Sequence, residues 1–320
     1  MVEEKITIGK NLVLKSRLIM PPMATKKAEN GQINDDLIAY YSEHAKNPNF
    51  GLIITEHAYI DIQGKSNSNQ ISFASDDVIP NQQKLVQSVK SVQQDIKIFA
   101  QLNHAGFQTS TKITGREVVS ASEFDGRSRS LSIDEIHLIQ QKFAFAASRV
   151  KKAGYDGVEF HCAHGYLLNQ FYSPLTNYRI DDYGPETLNS RLRFLTETIV
   201  EVRKEVGDDF PISVRFGGCD FQYGGSTIED AVQSSKILER AGVSLLNLSG
   251  GMCGYIRPNH EESGYFKDMT AEVKKHVKIP VVLTGGIWAI EDADILLKSH
   301  KADLIGIGRA FMYNTKWGLH

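Results

Sequence analysis

The sequence predicts an α/β protein folded as one (β/α)8 barrel, with residues 1–320 forming a single domain. Three observations carry that expectation. Eight short apolar, β-branched runs recur along the chain, continuous rather than alternating, as parallel strands covered by helices require. Amphipathic segments with helix start signals stand between them, so β and α alternate. No G-x-G-x-x-G follows the first run, which counts against an open doubly wound sheet.

The first run is RLIMPP from Arg17, and Asn34 then caps the segment DDLIAYYSEHAK. GLIITEH from Gly51 and KIFAQLNHAG from Lys97 follow. The box Ser132-x-x-Glu135 opens a long helix to Ala153, ahead of GVEFHCAHG from Gly157. After ISVRFGG from Ile212, a second box, Thr227-x-x-Asp230, starts AVQSSKILERAG. SLLNLSGG from Ser244, PVVLTGG from Pro280 and DLIGIGR from Asp303 complete the eight. Parallel strands need crossover connections, and eight such units close on themselves. Long connections at 58–75, 107–131 and 167–188 all follow strand ends, the face where barrels keep their sites. So little chain follows GIGRAF that the last outer helix is expected to be short or absent.

Composition narrows the function classes. A net charge of −2 with mixed signs along the chain offers no basic face for nucleic acid, which leaves a small molecule as the expected partner. Cys162, Cys219 and Cys253 are an odd number without a C-x-x-C pair, unlike a disulfide framework or a thiolate metal site. The amino terminus lacks a signal-peptide pattern, and no stretch of about 18 apolar residues occurs. The chain therefore reads as cytoplasmic, with no membrane segment; self-association is left open.

Strand ends that are distant in sequence meet at one barrel mouth. Thr284 to Gly286 and Gly306 to Arg309 end the last two runs, where glycine turns, helix starts and a cationic fork suit a phosphate. The same glycines could equally serve only to turn strand into helix. Arg215 sits inside an apolar run and demands an anionic or strongly polar partner, either a ligand or a carboxylate such as Glu159. Gln101 is an inward amide able to donate and accept. In EFHCAHGYLLNQF, Glu159 and His161 share one face of the strand, and His164 and Tyr166 swing to the same mouth past the turn at Gly165. Three readings stay open there: a metal held by His-x-x-His, core histidines, or imidazole donors gripping an oxygen that gains charge while a phenol gives a proton.

Taken together, RLIMPPMAT, GLIITE, QLNHAG, VEFHCAHGYLLNQFYSPLTNYRIDDYG, ISVRF, VLTGGI and LIGIGRAF resemble the old yellow enzyme family of FMN-dependent ene-reductases, the NADH:flavin oxidoreductases, in order from Arg17 to Phe311. The resemblance implies a (β/α)8 barrel with FMN at its mouth and NADH or NADPH as reductant. It assigns the FMN phosphate to Gly286, Ile287, Gly308 and Arg309, and the pyrimidine edge to Gln101. Arg215 would face N1 and O2, with backbone of Pro22, Met23 and Ala24 along the ring and His57 and Gly250 also at the cofactor. His161 and His164 match the pair that binds the substrate oxygen, and Tyr166 matches the proton donor to an activated alkene.

The chain also departs from the family pattern. Ala24 stands where Cys or Thr commonly touches flavin O4, Lys26 where one subgroup has an aromatic residue in the substrate pocket, and His57 where a small residue is usual. Larger relatives append an iron–sulfur segment and nucleotide-binding domains, so direct electron uptake from NAD(P)H is expected here. Two other functions are weighed: a flavin-free barrel lyase or isomerase acting on a phosphorylated metabolite, and a flavin-binding protein without turnover. Sequence does not select the physiological substrate, the choice of NADH or NADPH, or the effect of Ala24 on flavin potential.

Overall fold

A computed structural model describes residues 1–319; His320, the last position of the expected domain, lies outside the described residues. Eight parallel strands close into a barrel: β1 (Leu18–Met20), β2 (Phe50–Tyr59), β3 (Lys97–Asn103), β4 (Gly157–Cys162), β5 (Ile212–Cys219), β6 (Leu245–Gly250), β7 (Val281–Leu283) and β8 (Leu304–Gly306). Each coincides with one of the eight predicted runs, although β2 and β5 extend past the ends of theirs. β8 pairs with β1, and β5 with β6, so the sheet has no open edge.

The principal outer helices are α1 (Asp35–Ala45), α2 (Ile79–Val92), α3 (Ile133–Lys152), α4 (Leu188–Val206), α5 (Ile228–Arg240), α6 (Lys267–Lys274), α7 (Ile290–Lys298) and α8 (Arg309–Tyr313). Their starts follow local chemistry. The Asn34 side chain accepts from the Leu37 N–H, and Ser132 with Glu135 and Thr227 with Asp230 form reciprocal capping boxes. Thr187 and Ser190 make another box at α4 that the sequence reading passed over. The last helix is short, as expected, with 5 residues. Among the described residues no helix is long and apolar enough to cross a membrane.

Strand alternation divides the barrel interior into tiers. Ile19, Leu52, Ile54, Phe99, Leu245, Val282 and Leu304 fill the lower interior. An amino-terminal hairpin, Ile6–Ile8 with Leu12–Leu14, packs Ile8 and Leu14 beneath them. Polar residues lie above. Register sets Gln101 opposite Glu159 and Glu159 opposite Ser213; one pleat further on, His161 faces Arg215 and Arg215 faces Asn247.

The long connections are built and cross-braced. Residues between β3 and α3 carry a short parallel pair, Val119–Ser120 with Arg129–Ser130. Buried Arg179, from the connection after β4, donates to the carbonyls of Ala121 (2.8 Å) and Leu131 (2.7 Å) and pairs with Asp181 at 2.6 Å. A charged fork with carbonyl and carboxylate partners ties two site-bearing loops together.

One position tests the packing of the lower tier. A Cβ at Gly157 would stand 2.5 Å from the Phe99 ring, which is itself fully buried. Gly157→Ala is expected to lower stability by about 1–3 kcal/mol through overpacking, read as a lower urea midpoint with unchanged slope. Adding Phe99→Leu should recover part of the loss; an unchanged midpoint in the single variant would mean that the ring steps aside freely.

Candidate active site

The carboxyl ends of the strands surround a cleft of about 380 Å³. Pro22, Met23, Ala24, His57, Gln101, His161, His164, Tyr166, Arg215, Gly286, Ile287, Gly308 and Arg309 all line it. Two predicted residues do not. Lys26 is exposed in the β1–α1 connection with φ 57°, and Gly250 lies behind the wall, where its carbonyl accepts from the His164 N–H at 3.4 Å.

On the floor, an amide relay separates two buried charges. Glu159 accepts from Gln101 Nε2 (2.9 Å), Ser213 Oγ (2.7 Å) and Asn247 Nδ2 (2.9 Å). Asn247 Oδ1 in turn accepts from Arg215 Nη1 at 2.6 Å, while Arg215 Nη2 donates to Thr284 Oγ1 at 3.1 Å. Among the described residues, Arg215 and Glu159 make no direct ion pair; Asn247 joins them. Burial pushes the Arg215 pKa down to about 10, with Glu159 pulling the other way, so the guanidinium stays charged at neutral pH. Burial also raises the Glu159 pKa, against the pull of Arg215 and its three donors. Gln101 gives one N–H to Glu159, which fixes the amide and leaves its carbonyl oxygen and second N–H for the cleft.

At the end of β4 the chain turns sharply. His164 adopts φ 58° and Gly165 φ 74°, a left-handed pair whose first member carries a side chain. The turn is clamped by Asn169 Oδ1, which accepts from the Gly165 N–H at 2.8 Å, and by Gln170 Nε2, which donates to the Gly165 carbonyl at 2.7 Å. Strained backbone held by its surroundings gathers three rings. The His161 centroid lies 5.0 Å from that of His164 and 4.7 Å from that of Tyr166. His164 Nε2 bonds Ser249 Oγ at 2.7 Å, whereas buried His161 Nδ1 has no partner among the described residues. Burial holds both imidazole pKa values well below the ordinary range, and the Arg215 cation adds to the effect. Both rings are neutral at pH 7. Burial raises the Tyr166 pKa, so its phenol keeps its proton.

The glycine turns after β7 and β8 form another wall. Gly285 and Gly286 have φ 114° and 64°, and a Cβ on either would stand within 2.8 Å of the Tyr265 ring. Glycine is thus required by conformation and packing before any ligand is considered. The helix starts expected beside both turns are only half present: α8 begins at Arg309, but α7 begins four residues beyond Gly286, behind Trp288. Arg309 lies over the Trp288 ring at 5.7 Å and donates to Tyr265 Oη at 3.3 Å. Sequence reasoning missed Tyr265, Trp288, Ser249 and Asn247. Asn247 and Ser249 alternate inward along β6 and were legible in principle; the two aromatics come from loops that carried no signal.

Residues 4–319 match the NADH:flavin oxidoreductase / NADH oxidase family. The chain belongs to that family. It is similar to an NADH oxidase of Thermoanaerobacter brockii, 40% identical over 96% of this chain and 48% of that protein. Among solved structures, a 2-naphthoyl-CoA reductase superposes with TM-score 0.89 at 25% identity, over 98% of this chain and 51% of the other. The old yellow enzyme homologue of Zymomonas mobilis gives TM-score 0.82 at 25% identity, over 98% and 90%. The chain thus spans about half the length of the first two and most of the third. The old yellow enzyme resemblance drawn from the motifs is borne out, and family and structure together point to FMN as cofactor.

The residues fit such a group. The cleft has the volume of pockets that enclose small organic ligands; its floor presents a buried cation and an amide carbonyl, and its wall an imidazole nitrogen unpartnered among the described residues. Among the described residues no group of three or more His, Cys, Asp or Glu could hold a metal ion.

Buried neutral histidines make stability depend on pH. Burial lowers the pKa of His57 and His104 to about 4, from an ordinary 6.5, and that of His161 and His164 well below 6.5. The unfolded chain protonates these four near pH 6.5 and the folded chain does not, so stability falls as pH drops below 6.5. Glu56, raised to about 7, and Glu159, also raised, act in the opposite sense because they protonate first in the folded state. Four groups outweigh two. The urea-unfolding free energy should fall from about pH 6.5 to about pH 5, by about 1.4 kcal/mol per pH unit for each net proton. A free energy that stayed level over that interval would show that the imidazoles are not buried neutral.

Proposed function

We propose that this chain is an FMN-dependent ene-reductase domain that uses NADH or NADPH to reduce an activated alkene, such as an enone or nitroalkene. The observation that carries the reading is the convergence of His161, His164 and Tyr166 on the cleft that also contains Gln101, Arg215 and Arg309. When bound, FMN supplies the two-electron chemistry, accepting hydride from the nicotinamide and returning it to the alkene β-carbon.

The protein residues then have separate tasks. His161 and His164, neutral at pH 7, donate hydrogen bonds to the oxygen of the activating group, and these strengthen as charge develops there. Tyr166, protonated and buried, gives its proton to the α-carbon. Arg215 would offer the cofactor a fixed positive charge, and the Gln101 amide would hold its polar edge. Arg309, with the glycine turns, holds the phosphate. Pro22, Met23 and Ala24 would line the ring. A cytoplasmic location and a small-molecule substrate belong to the same reading, supported by free thiols, mixed charge and the enclosed cleft.

Purified protein should take up FMN and turn yellow, and anaerobic NADH or NADPH should bleach it. Tyr166→Phe is expected to leave that bleaching rate intact while slowing reoxidation by an alkene by about 10²-fold or more, as for loss of a general acid. Stopped-flow absorbance separates the two half-reactions, and equal reoxidation rates would remove Tyr166 from the role. Arg309→Ala should release FMN on dialysis; retention equal to that of the parent protein would move the phosphate elsewhere.

A further inference from the structure

The end of β2 contains a bulge: Thr55 pairs with Ala100 and His57 with Gln101, so Glu56 is the extra residue. The bulge sends the two side chains apart. Glu56 accepts from Thr25 Oγ1 at 2.6 Å and lies against Tyr41, while the His57 ring lines the cleft. That ring stands 5.2 Å from Tyr166 and 6.0 Å from His161.

Hydrogen bonds fix which of its nitrogens carries the proton. Gln70 Oε1 accepts from the Ser66 N–H at 2.7 Å, which orients the amide with Nε2 as the remaining donor. Gln70 Nε2 donates to the His57 carbonyl at 3.0 Å and meets His57 Nδ1 at 3.3 Å. Asn103 Nδ2 reaches the same Nδ1 at 3.0 Å. With two amide donors on Nδ1, the proton of the neutral ring resides on Nε2. Among the described residues no protein group accepts from Nε2.

The groups around the ring keep it uncharged. His161 and Tyr166 face it from the β4 end, Gln101 and Asn103 from β3, and Gln70 from the connection after β2. Arg215 stands opposite His161 on β5, and Glu56, on the same strand, is turned away. No carboxylate touches the imidazole, and burial lowers its pKa to about 4. The neighbouring β1 connection offers no competing side-chain donor at Ala24, and the Thr25 hydroxyl is given to Glu56.

We propose that His57 is a fixed Nε2–H donor to the polar edge of the bound flavin, stabilising its electron-rich reduced form over the oxidised form and so raising its reduction potential. The inference rests on the FMN reading above. One hydrogen bond that strengthens on reduction favours the reduced state by about tenfold, equivalent to about 30 mV for a two-electron couple.

Anaerobic reduction potentials of reconstituted proteins test it. His57→Phe keeps a ring against Tyr166 and His161 but has no donor, and its potential should be lower by that tenfold factor. His57→Gln, which retains an N–H, should recover part of the shift. The difference between parent and His57→Phe should hold constant from about pH 5.5 to about pH 9, because the parent imidazole does not titrate there. Gln70→Glu places a carboxylate on Nδ1, lets the ring take a second proton and should introduce a pH-dependent step in potential. Yellow variants with the parent potential at every pH overturn this inference alone, as does such a step already present in the parent. A parent protein that takes up no FMN overturns the functional reading and this inference with it.

Discussion

The structure is organised around a guanidinium that a barrel interior would not tolerate alone. Arg215 is carried inward by β5, and the register sets Asn247 beside it and Glu159 one pleat below. A buried pair that loses one partner costs about 3–5 kcal/mol, because an uncompensated charge remains. Here the pair is joined through an amide that donates to the anion and accepts from the cation, with Ser213 and Gln101 completing the shell of the carboxylate. Only two of the five donors of Arg215 are engaged in the barrel, by Asn247 and Thr284, so the cation retains capacity towards the cleft.

That charge reaches the wall at the end of β4. The Arg215 cation disfavours protonation of both His161 and His164, adding to the larger effect of burial. Burial keeps the imidazoles uncharged, and the same residue that asks for an anionic partner adds to that effect. Floor and wall are one electrostatic unit, and the strained turn at His164 and Gly165 is what brings the second imidazole into it.

Much of this was legible in the sequence, for identifiable reasons. Continuous β-branched runs and the capping residues Asn34, Ser132 and Thr227 are local signals, and the strands and helices form where they stand. Inward positions such as Gln101, Glu159, His161 and Arg215 follow from alternation once the strands are placed. What alternation cannot supply is register between strands, so the Asn247 relay was missed and a direct Arg215–Glu159 bridge stood as one of two readings for the guanidinium. The bulge at Glu56 breaks alternation outright: a regular strand would turn Glu56 inward and His57 outward. Tyr265 and Trp288 reach the cleft from loops, whose paths depend on contacts distant in sequence. Gly250 was placed at the cofactor by the family resemblance, yet its missing side chain is explained by Cys253 and Gly254 behind the wall.

A neutral donor set has a consequence for any reaction in which an oxygen gains negative charge. An imidazolium would attract an anionic ligand strongly before reaction and could surrender its proton, ending as a different species from the one that bound. A neutral imidazole N–H holds a ground-state carbonyl with ordinary strength, and its hydrogen bond grows as charge accumulates, which lowers a barrier without deepening the well before it. The fixed cation needed for charge balance sits instead on the floor, in a guanidinium that burial has not discharged. Permanent charge and responsive donors are thus kept apart in one cleft, and the amide relay through Asn247 is what makes that separation tolerable inside an apolar barrel.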